Sequence, residues 1–315
     1  MAKPFILISD GFDKELFTEF RNSNDFEVYP ESKVSPEKLK ELLPKISGLI
    51  VRSATTVNKD LVDQAPNLKY VIRAGEGVDN IDVKYCESKG IKVSNTPGAN
   101  SNSAAEHAIA LMMTVLRKTA VAHESMKRGE WEKSKFSGNE LAGKTVGFVG
   151  IGRIGQIVAK RISGFEPKVL FFDPMIEKLD LAYAKKATLD EVFSQSDIIT
   201  IHSPLLPTTK NMIGKELLCK MKKSAILINA ARGGIVNESD LYDCLKNHTL
   251  RGAGLDVFEN EPLKKDHQLS TLDNVVLTPH LGASTEEAQV RVGEMALYQM
   301  HEFFLKNNLL NQVKA

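Results

Sequence analysis

Short β-branched runs alternate with helical patterns from one end of the chain to the other, and this alternation limits the fold more than any other feature. Parallel strands need a crossover, usually a helix, between them, so the chain reads as α/β with doubly wound parallel sheets. In the first hundred residues, strands are expected at 5–8, 26–29, 48–51, 70–72 and 91–93, enough for one small unit. The segment Ser35-Pro-Glu-Lys-Leu-Lys-Glu-Leu-Leu43 predicts a helix with Pro36 in its first turn, where a missing N–H costs nothing. A long helix is expected over 103–128. It opens on Ser103-Ala-Ala-Glu106, which has capping-box spacing, and continues an apolar face through Ile109, Met112, Met113 and Leu116. A polar, irregular stretch at 129–143 then yields to a second series, with strands at 145–149, 169–172, 198–201, 226–228, 253–257 and 275–277. A last helix over 284–305 carries Met295, Leu297, Met300, Phe303 and Phe304. At 315 residues the chain suits two domains of the usual size.

Charge and cysteine usage narrow the function. Forty-one Lys and Arg balance 40 Asp and Glu, leaving a net charge of +1, which provides no electrostatic reason for nucleic acid or a membrane surface as partner. Cys86, Cys219 and Cys244 share no metal or redox-motif spacing and read as reduced thiols. No cluster has metal-ligand spacing, so no metal is expected. The N-terminus opens into a strand-like run without the features of a signal peptide, and no apolar run approaches the ~18 residues of a membrane span. The expected location is the cytoplasm.

Gly150-Ile-Gly-Arg-Ile-Gly155 matches the dinucleotide fingerprint, and its context strengthens the match. An apolar strand feeds into it, a helix leaves it, and a second strand ends in Asp173, 18 residues after Gly155. Gly150 makes the tight turn, Gly152 lets a pyrophosphate approach the backbone, and Gly155 lets helix and strand pack closely. The pyrophosphate then rests on the helix-terminal N–H groups around Arg153 and Ile154. Asp173 is placed for the ribose hydroxyls and would repel a 2′-phosphate, so the expected cofactor is NAD rather than NADP.

Ligands of open parallel sheets bind at the carboxyl edge, so the polar residues just past each strand are the candidates. In the second series these are Asp173, Ser203, Arg232, Asp256 with Glu261, and His280; in the first they are Arg52, the loop Arg73-Ala-Gly-Glu-Gly77, and Asn100. All these edges could line one cleft between the two domains. A guanidinium, a carboxylate and an imidazole suit hydride transfer to a 2-keto acid. The arginine clamps the carboxylate and polarises the keto oxygen, while the histidine exchanges the hydroxyl proton beside a supporting carboxylate. His202 also ends a strand, but its neighbour Pro204 suggests a structural role, and His107 reads as a packed histidine on an apolar helix face.

Asn229-Ala-Ala-Arg-Gly-Gly-Ile-Val236, Gly254-Leu-Asp-Val-Phe-Glu-Asn-Glu-Pro262 and Thr278-Pro-His-Leu-Gly-Ala-Ser-Thr285 resemble the three signature blocks of the D-2-hydroxyacid dehydrogenases. The resemblance implies a flavodoxin-like substrate domain at 1–98 plus 287–315 and a Rossmann NAD-binding domain at 99–286. It implies catalysis by Arg232, Glu261 and His280. Asp256 would hold the nicotinamide carboxamide. Ser203, Ala230, Ala231 and Arg232 would touch the cofactor, as would His280, Gly282 and Ala283.

Within the family, Val51-Arg-Ser-Ala-Thr-Thr-Val57, Arg73-Ala-Gly-Glu-Gly-Val-Asp-Asn-Ile-Asp82 and Asn95-Thr-Pro-Gly-Ala-Asn-Ser101 look most like the D-3-phosphoglycerate dehydrogenases. That resemblance implies oxidation of 3-phosphoglycerate, the entry to serine synthesis. Arg52 and Asn100 would meet phosphate or carboxylate, with Ala74, Gly75, Glu76 and Gly77 around the substrate carboxylate and Arg232 completing the set. Glu76 departs from the pattern, which has a small or neutral residue there. A carboxylate pointing inward repels a phosphate ester; one pointing outward does not. The chain stops after its last helix, so feedback by serine through a further domain is not expected. The alternatives are a glyoxylate/hydroxypyruvate reductase or other D-2-hydroxyacid dehydrogenase, and, more remotely, an NAD-sensing protein-binding module. A homodimer through the NAD-binding domains is the family's habit, with Trp131 and Phe136 as candidate contacts and tetramers open.

Overall fold

The computed structural model describes residues 3–315. The chain divides into two compact units, Met1–Asn100 with Ala283–Ala315, and Ser101–Gly282. The divisions lie two residues later and four residues earlier than the expected 98/99 and 286/287.

The first unit runs β1 (Phe5–Ile8), α1 (Lys14–Asn22), β2 (Glu27–Val28), α2 (Pro36–Leu42), β3 (Gly48–Val51), α3 (Lys59–Asp63), β4 (Tyr70–Arg73), α4 (Val83–Ser88) and β5 (Lys92–Asn95). The strands form a parallel sheet in the order β2-β1-β3-β4-β5, the flavodoxin-like arrangement. Strand alternation sorts the core into two layers. Leu7, Leu49, Val51 and Val71 pack with Leu43, Leu61 and Cys86 on one side. Ile6, Ile8, Ile50 and Tyr70 pack on the other with Phe17, Phe20, Ala296 and Met300. Pro36 stands in the first turn of α2 and the Ser35 side chain accepts the Lys38 N–H, as the sequence predicts.

The second unit runs α5 (Ser101–Arg117), α6 (Thr119–Lys127), β6 (Thr145–Val149), α7 (Arg153–Ile162), β7 (Lys168–Phe172), β8 (Ala184–Lys186), α8 (Leu189–Gln195), β9 (Ile198–Ile201), α9 (Lys215–Leu218), β10 (Ile226–Asn229), α10 (Glu238–Lys246), β11 (Gly252–Leu255) and β12 (Val275–Leu277). The sheet is parallel, in the order β12-β11-β10-β9-β6-β7-β8. One face packs on α5 and α7 through Val146, Phe148, Ile226 and Ile228. The other packs on α8, α9 and α10 through Val149, Ile199, Ile201, Leu227 and Leu255.

α11 (Glu286–Lys306) returns the chain to the first unit. Thr285 caps it by accepting the Ala288 N–H, and Phe303 stacks on Tyr70 with centroids 4.3 Å apart.

Two expectations are corrected. The long helix at 103–128 is two helices. It starts at Ser101 rather than at the Ser103 box, and Ser101, Ala104, Ala105 and Ala108 are buried along it. It breaks at Lys118, which takes a left-handed φ of 53°. The carbonyl of Leu116, which a continuous helix would bond to residue 120, accepts the N–H of Asn139 at 2.9 Å instead. β8 was not expected at all; it is a short, polar edge strand. No helix among the described residues is long and apolar enough to cross a membrane.

Candidate active site

The strand order of the second unit reverses between β9 and β6, which makes the carboxyl ends of these strands the topological switch point. Gly150 leaves β6 at a φ of +85°, and a Cβ there would lie 2.7 Å from Ser203 Oγ and 2.9 Å from the His202 carbonyl. Only glycine fits this turn. A Cβ on Gly155 would come to 3.0 Å from the Gly150 carbonyl, so helix and turn are in close contact. Gly152, by contrast, has nothing within 4 Å of its missing Cβ. It is the N-cap of α7, so there is open space beside the cap at the positive end of that helix. These features fit a pyrophosphate against Gly152, Arg153 and Ile154. Asp173 follows β7 and is buried; it accepts from Ile151 N (2.9 Å), Met175 N (2.8 Å) and Ile176 N (3.1 Å). It thus ties the glycine turn to the loop after β7. Ser203 Oγ donates to the Val149 carbonyl at 3.0 Å, behind the same turn. His202 stacks on Phe148 and bonds Thr200 Oγ1 at 2.9 Å, and burial pushes its pKa down to about 4, so it serves the core as expected.

The other candidates come from three consecutive neighbours in the sheet, β10, β11 and β12. After β10, the Asn229 side chain accepts from Ala231 N (3.1 Å) and donates to the Arg232 carbonyl (2.9 Å), closing a tight turn. Ala230 and Ala231 lie in this turn, and Arg232 Nη1 donates to the Ala231 carbonyl at 2.7 Å. After β11, Glu261 Oε1 accepts the Phe258 N–H at 3.0 Å, while Oε2 lies 2.7 Å from His280 Nδ1. Burial works against the Glu261 charge, but the bonds from His280 and Phe258 outweigh it and hold its pKa below the usual value. An ionised partner at Nδ1 requires a hydrogen there, which leaves Nε2 to exchange a proton.

Asp256 organises the loop that carries His280. It is wholly buried and accepts from Thr278 Oγ1 (2.6 Å), Leu281 N (2.7 Å) and Gly282 N (2.8 Å), with His107 Nε2 at 3.1 Å. Burial opposes its charge; His107, Thr278 and Leu281 overcome that and lower its pKa. These four donors match the roughly four acceptor sites of a carboxylate. A carboxamide could therefore be held by Asp256 only in exchange for one of them. The roles of Thr278 and His107 in this network leave no mark in the sequence, because their partners lie 22 to 171 residues away. Ala283 falls in the first unit, where its carbonyl accepts Gln289 Nε2 at 2.8 Å.

In the first unit the expected substrate residues also gather at the carboxyl edge. Arg52 follows β3, Ala74–Gly77 follow β4, and Asn100 ends the loop after β5. The last two loops are bonded together: Thr96 N to the Gly75 carbonyl (3.0 Å), Asn95 Nδ2 to the Glu76 carbonyl (2.5 Å), and Gly98 N to Glu76 Oε2 (2.8 Å). The Glu76 carboxylate is thus turned onto the 96–100 loop. Buried Thr96 Oγ1 and Asn100 Oδ1 have no hydrogen-bond partner there, an arrangement that suits a polar ligand. Asp10 is filled by donors from Ser9, Arg52 N and Thr55.

A glycine turn at the switch point and a carboxylate–imidazole pair past the ends of β11 and β12 suit a nicotinamide-dependent oxidoreductase. Residues 109–282 match the family described as D-isomer specific 2-hydroxyacid dehydrogenase, NAD binding domain. The chain is 44% identical to a hydroxypyruvate reductase of Thermotoga maritima over 295 residues, 93% of this chain and 96% of that protein. It is also 44% identical to a D-3-phosphoglycerate dehydrogenase of Archaeoglobus fulgidus over 290 residues, 91% of this chain but 55% of that protein. The chain therefore spans about half the length of that phosphoglycerate dehydrogenase. The structure of an NAD-dependent formate dehydrogenase from Staphylococcus aureus in complex with NAD superposes with a TM-score of 0.86 at 31% identity, covering 100% of this chain and 99% of that one. The chain belongs to the D-isomer-specific 2-hydroxyacid dehydrogenases, and its cofactor is NAD.

Proposed function

We propose that the chain interconverts D-3-phosphoglycerate and 3-phosphohydroxypyruvate. The observation that carries this reading is Arg52, a half-buried cation just past β3. Burial depresses its pKa, and the nearby Asp10 only partly offsets that. Because Asp10 is already filled by other donors, the guanidinium is left to meet a ligand anion. NAD, when bound, accepts the hydride from the substrate carbon. Arg232 holds the substrate carboxylate and polarises the keto oxygen. His280 Nε2 takes or returns the hydroxyl proton, and Glu261 stabilises the imidazolium through Nδ1.

A second reading, hydroxypyruvate reduction, is favoured by Glu76, whose carboxylate stands in the substrate loop and disfavours a dianionic phosphate. The near-complete coverage of the Thermotoga maritima relative supports it too. NADH consumption with 3-phosphohydroxypyruvate, hydroxypyruvate and glyoxylate in parallel separates the two. A preference of about a hundredfold for the phosphorylated acid, or ~2.7 kcal/mol of differential transition-state binding, supports the first reading. Equal or better use of hydroxypyruvate replaces it with the second.

We further propose a homodimer formed through the second unit. That unit bears a cavity of about 840 Å³ lined by Val115, Val121, Phe136, Leu245 and Val276 among charged groups. Trp131, in the same stretch as Phe136, is 81% exposed, as expected of a residue that a partner covers. Sedimentation of the wild type and Trp131→Ala tests this, and a monomeric wild type would refute it.

A further inference from the structure

α5 carries His107 into the network beneath His280. Its Nε2 lies 3.0 Å from Thr278 Oγ1 and 3.1 Å from Asp256 Oδ1. Thr278 Oγ1 places its single proton on Asp256 Oδ1, at 2.6 Å, and Asp256 is ionised. Both atoms facing Nε2 are therefore acceptors, so Nε2 carries the hydrogen. His107 is the one ring among the donors that fill Asp256; the others are a hydroxyl and two backbone N–H groups of the 278–282 loop itself. It is thus the donor that ties this loop to a helix outside it.

The loop needs such a tie. His280 sits at a φ of 53°, a left-handed conformation that side-chain-bearing residues seldom adopt, and its N–H is held by the Asp256 and Thr278 carbonyls at 2.9 and 3.0 Å. The backbone that carries the imidazole is therefore set by how Asp256 and Thr278 are held, while Glu261 holds the ring itself at Nδ1. We propose that His107 is a positioning residue: its Nε2–H bond to Asp256 and Thr278 fixes the loop in which His280 presents Nε2 to the substrate. The inference rests on the reading of His280 as the proton carrier.

The test uses the full chain with NADH and either hydroxypyruvate or 3-phosphohydroxypyruvate, whichever the wild type turns over faster. His107→Leu keeps the bulk and removes the donor; His107→Gln keeps an amide donor able to reach the same acceptors. We expect kcat to fall at least about tenfold in His107→Leu, with NADH affinity within about threefold of the wild type. We expect His107→Gln to recover kcat to within about threefold. A split between kcat and cofactor affinity, rescued by the amide, is not what loss of helix packing produces. A folded His107→Leu with kcat within twofold of wild type overturns the proposal, as does a folded His107→Gln as slow as His107→Leu. Should His107→Leu not fold, Thr278→Val takes its place. Slowed kcat there, with His107→Gln active, supports the proposal; unchanged kcat in Thr278→Val overturns it. A wild type with no turnover of either acid removes the proton-carrier reading itself, a failure distinct from an unaffected variant of an active enzyme.

Discussion

Gly233 follows Arg232, and a Cβ built on it would lie 1.8 Å from the Phe258 carbonyl oxygen and 2.1 Å from its carbon. Real Cβ contacts essentially never fall below 3.0 Å, so in Gly233→Ala the two segments must part by at least about 1.2 Å. The strain cannot stay local. On one side the moved backbone carries Arg232. On the other, Phe258 N holds Glu261, which bonds His280 at 2.7 Å. A misplacement of about 1 Å in a reacting group costs on the order of 10²-fold, or ~2.7 kcal/mol of transition-state stabilisation. Overpacking alone should cost about 1–3 kcal/mol of stability. The nucleotide turn is on β6, away from the insertion, so NADH affinity should stay within about threefold while kcat falls ~10²-fold. Steady-state kinetics, NADH fluorescence titration and thermal melting read all three quantities. Gly164→Ala, with nothing within 4 Å of its Cβ, is the neutral control. A Gly233→Ala enzyme with kcat within about threefold of wild type would refute the argument that this contact sets the geometry of arginine and carboxylate together.

Three further outcomes are expected. Arg232→Lys should lose about 10²-fold in kcat/KM, because an ammonium cannot reproduce the bidentate fork; near-normal turnover would remove the guanidinium from the mechanism. His280→Ala should bind NADH normally and lose a factor of about 10² or more in kcat; retained turnover would mean that the proton comes from elsewhere. Glu76→Thr removes a carboxylate from the substrate loop and should raise the kcat/KM ratio of 3-phosphohydroxypyruvate to hydroxypyruvate by about tenfold, and an unchanged ratio would show that Glu76 does not sense the phosphate.

The strands were the most legible part of the sequence. β3, β9 and β10 are buried on both faces, so each reads as an unbroken apolar run. β8 was missed because Ala184-Lys-Lys186 is an edge strand of three residues with no such run to betray it. The break at Lys118 depends on Asn139, some twenty residues away, and leaves no local mark. The same distinction runs through the site. Gly150 and Asp173 stand out from motif and spacing, and Arg232, Glu261 and His280 from the blocks around them. The close approach at Gly233 and the bonds of His107 arise only when distant segments meet.

The first unit is closed by a helix made almost two hundred residues after its last strand. Ile6, Ile8, Ile50 and Tyr70 face α11, whose Met300 and Phe304 would come within 3.0 Å of a Cβ on Gly48. During synthesis at about 5–20 residues per second, that sheet face waits roughly 10–40 s before its cover leaves the ribosome. The second unit is contiguous and is synthesised within that interval. The first third of the polypeptide is therefore completed only by the last helix, and the part of its sheet face that α1 leaves uncovered is where a chaperone would bind the nascent chain.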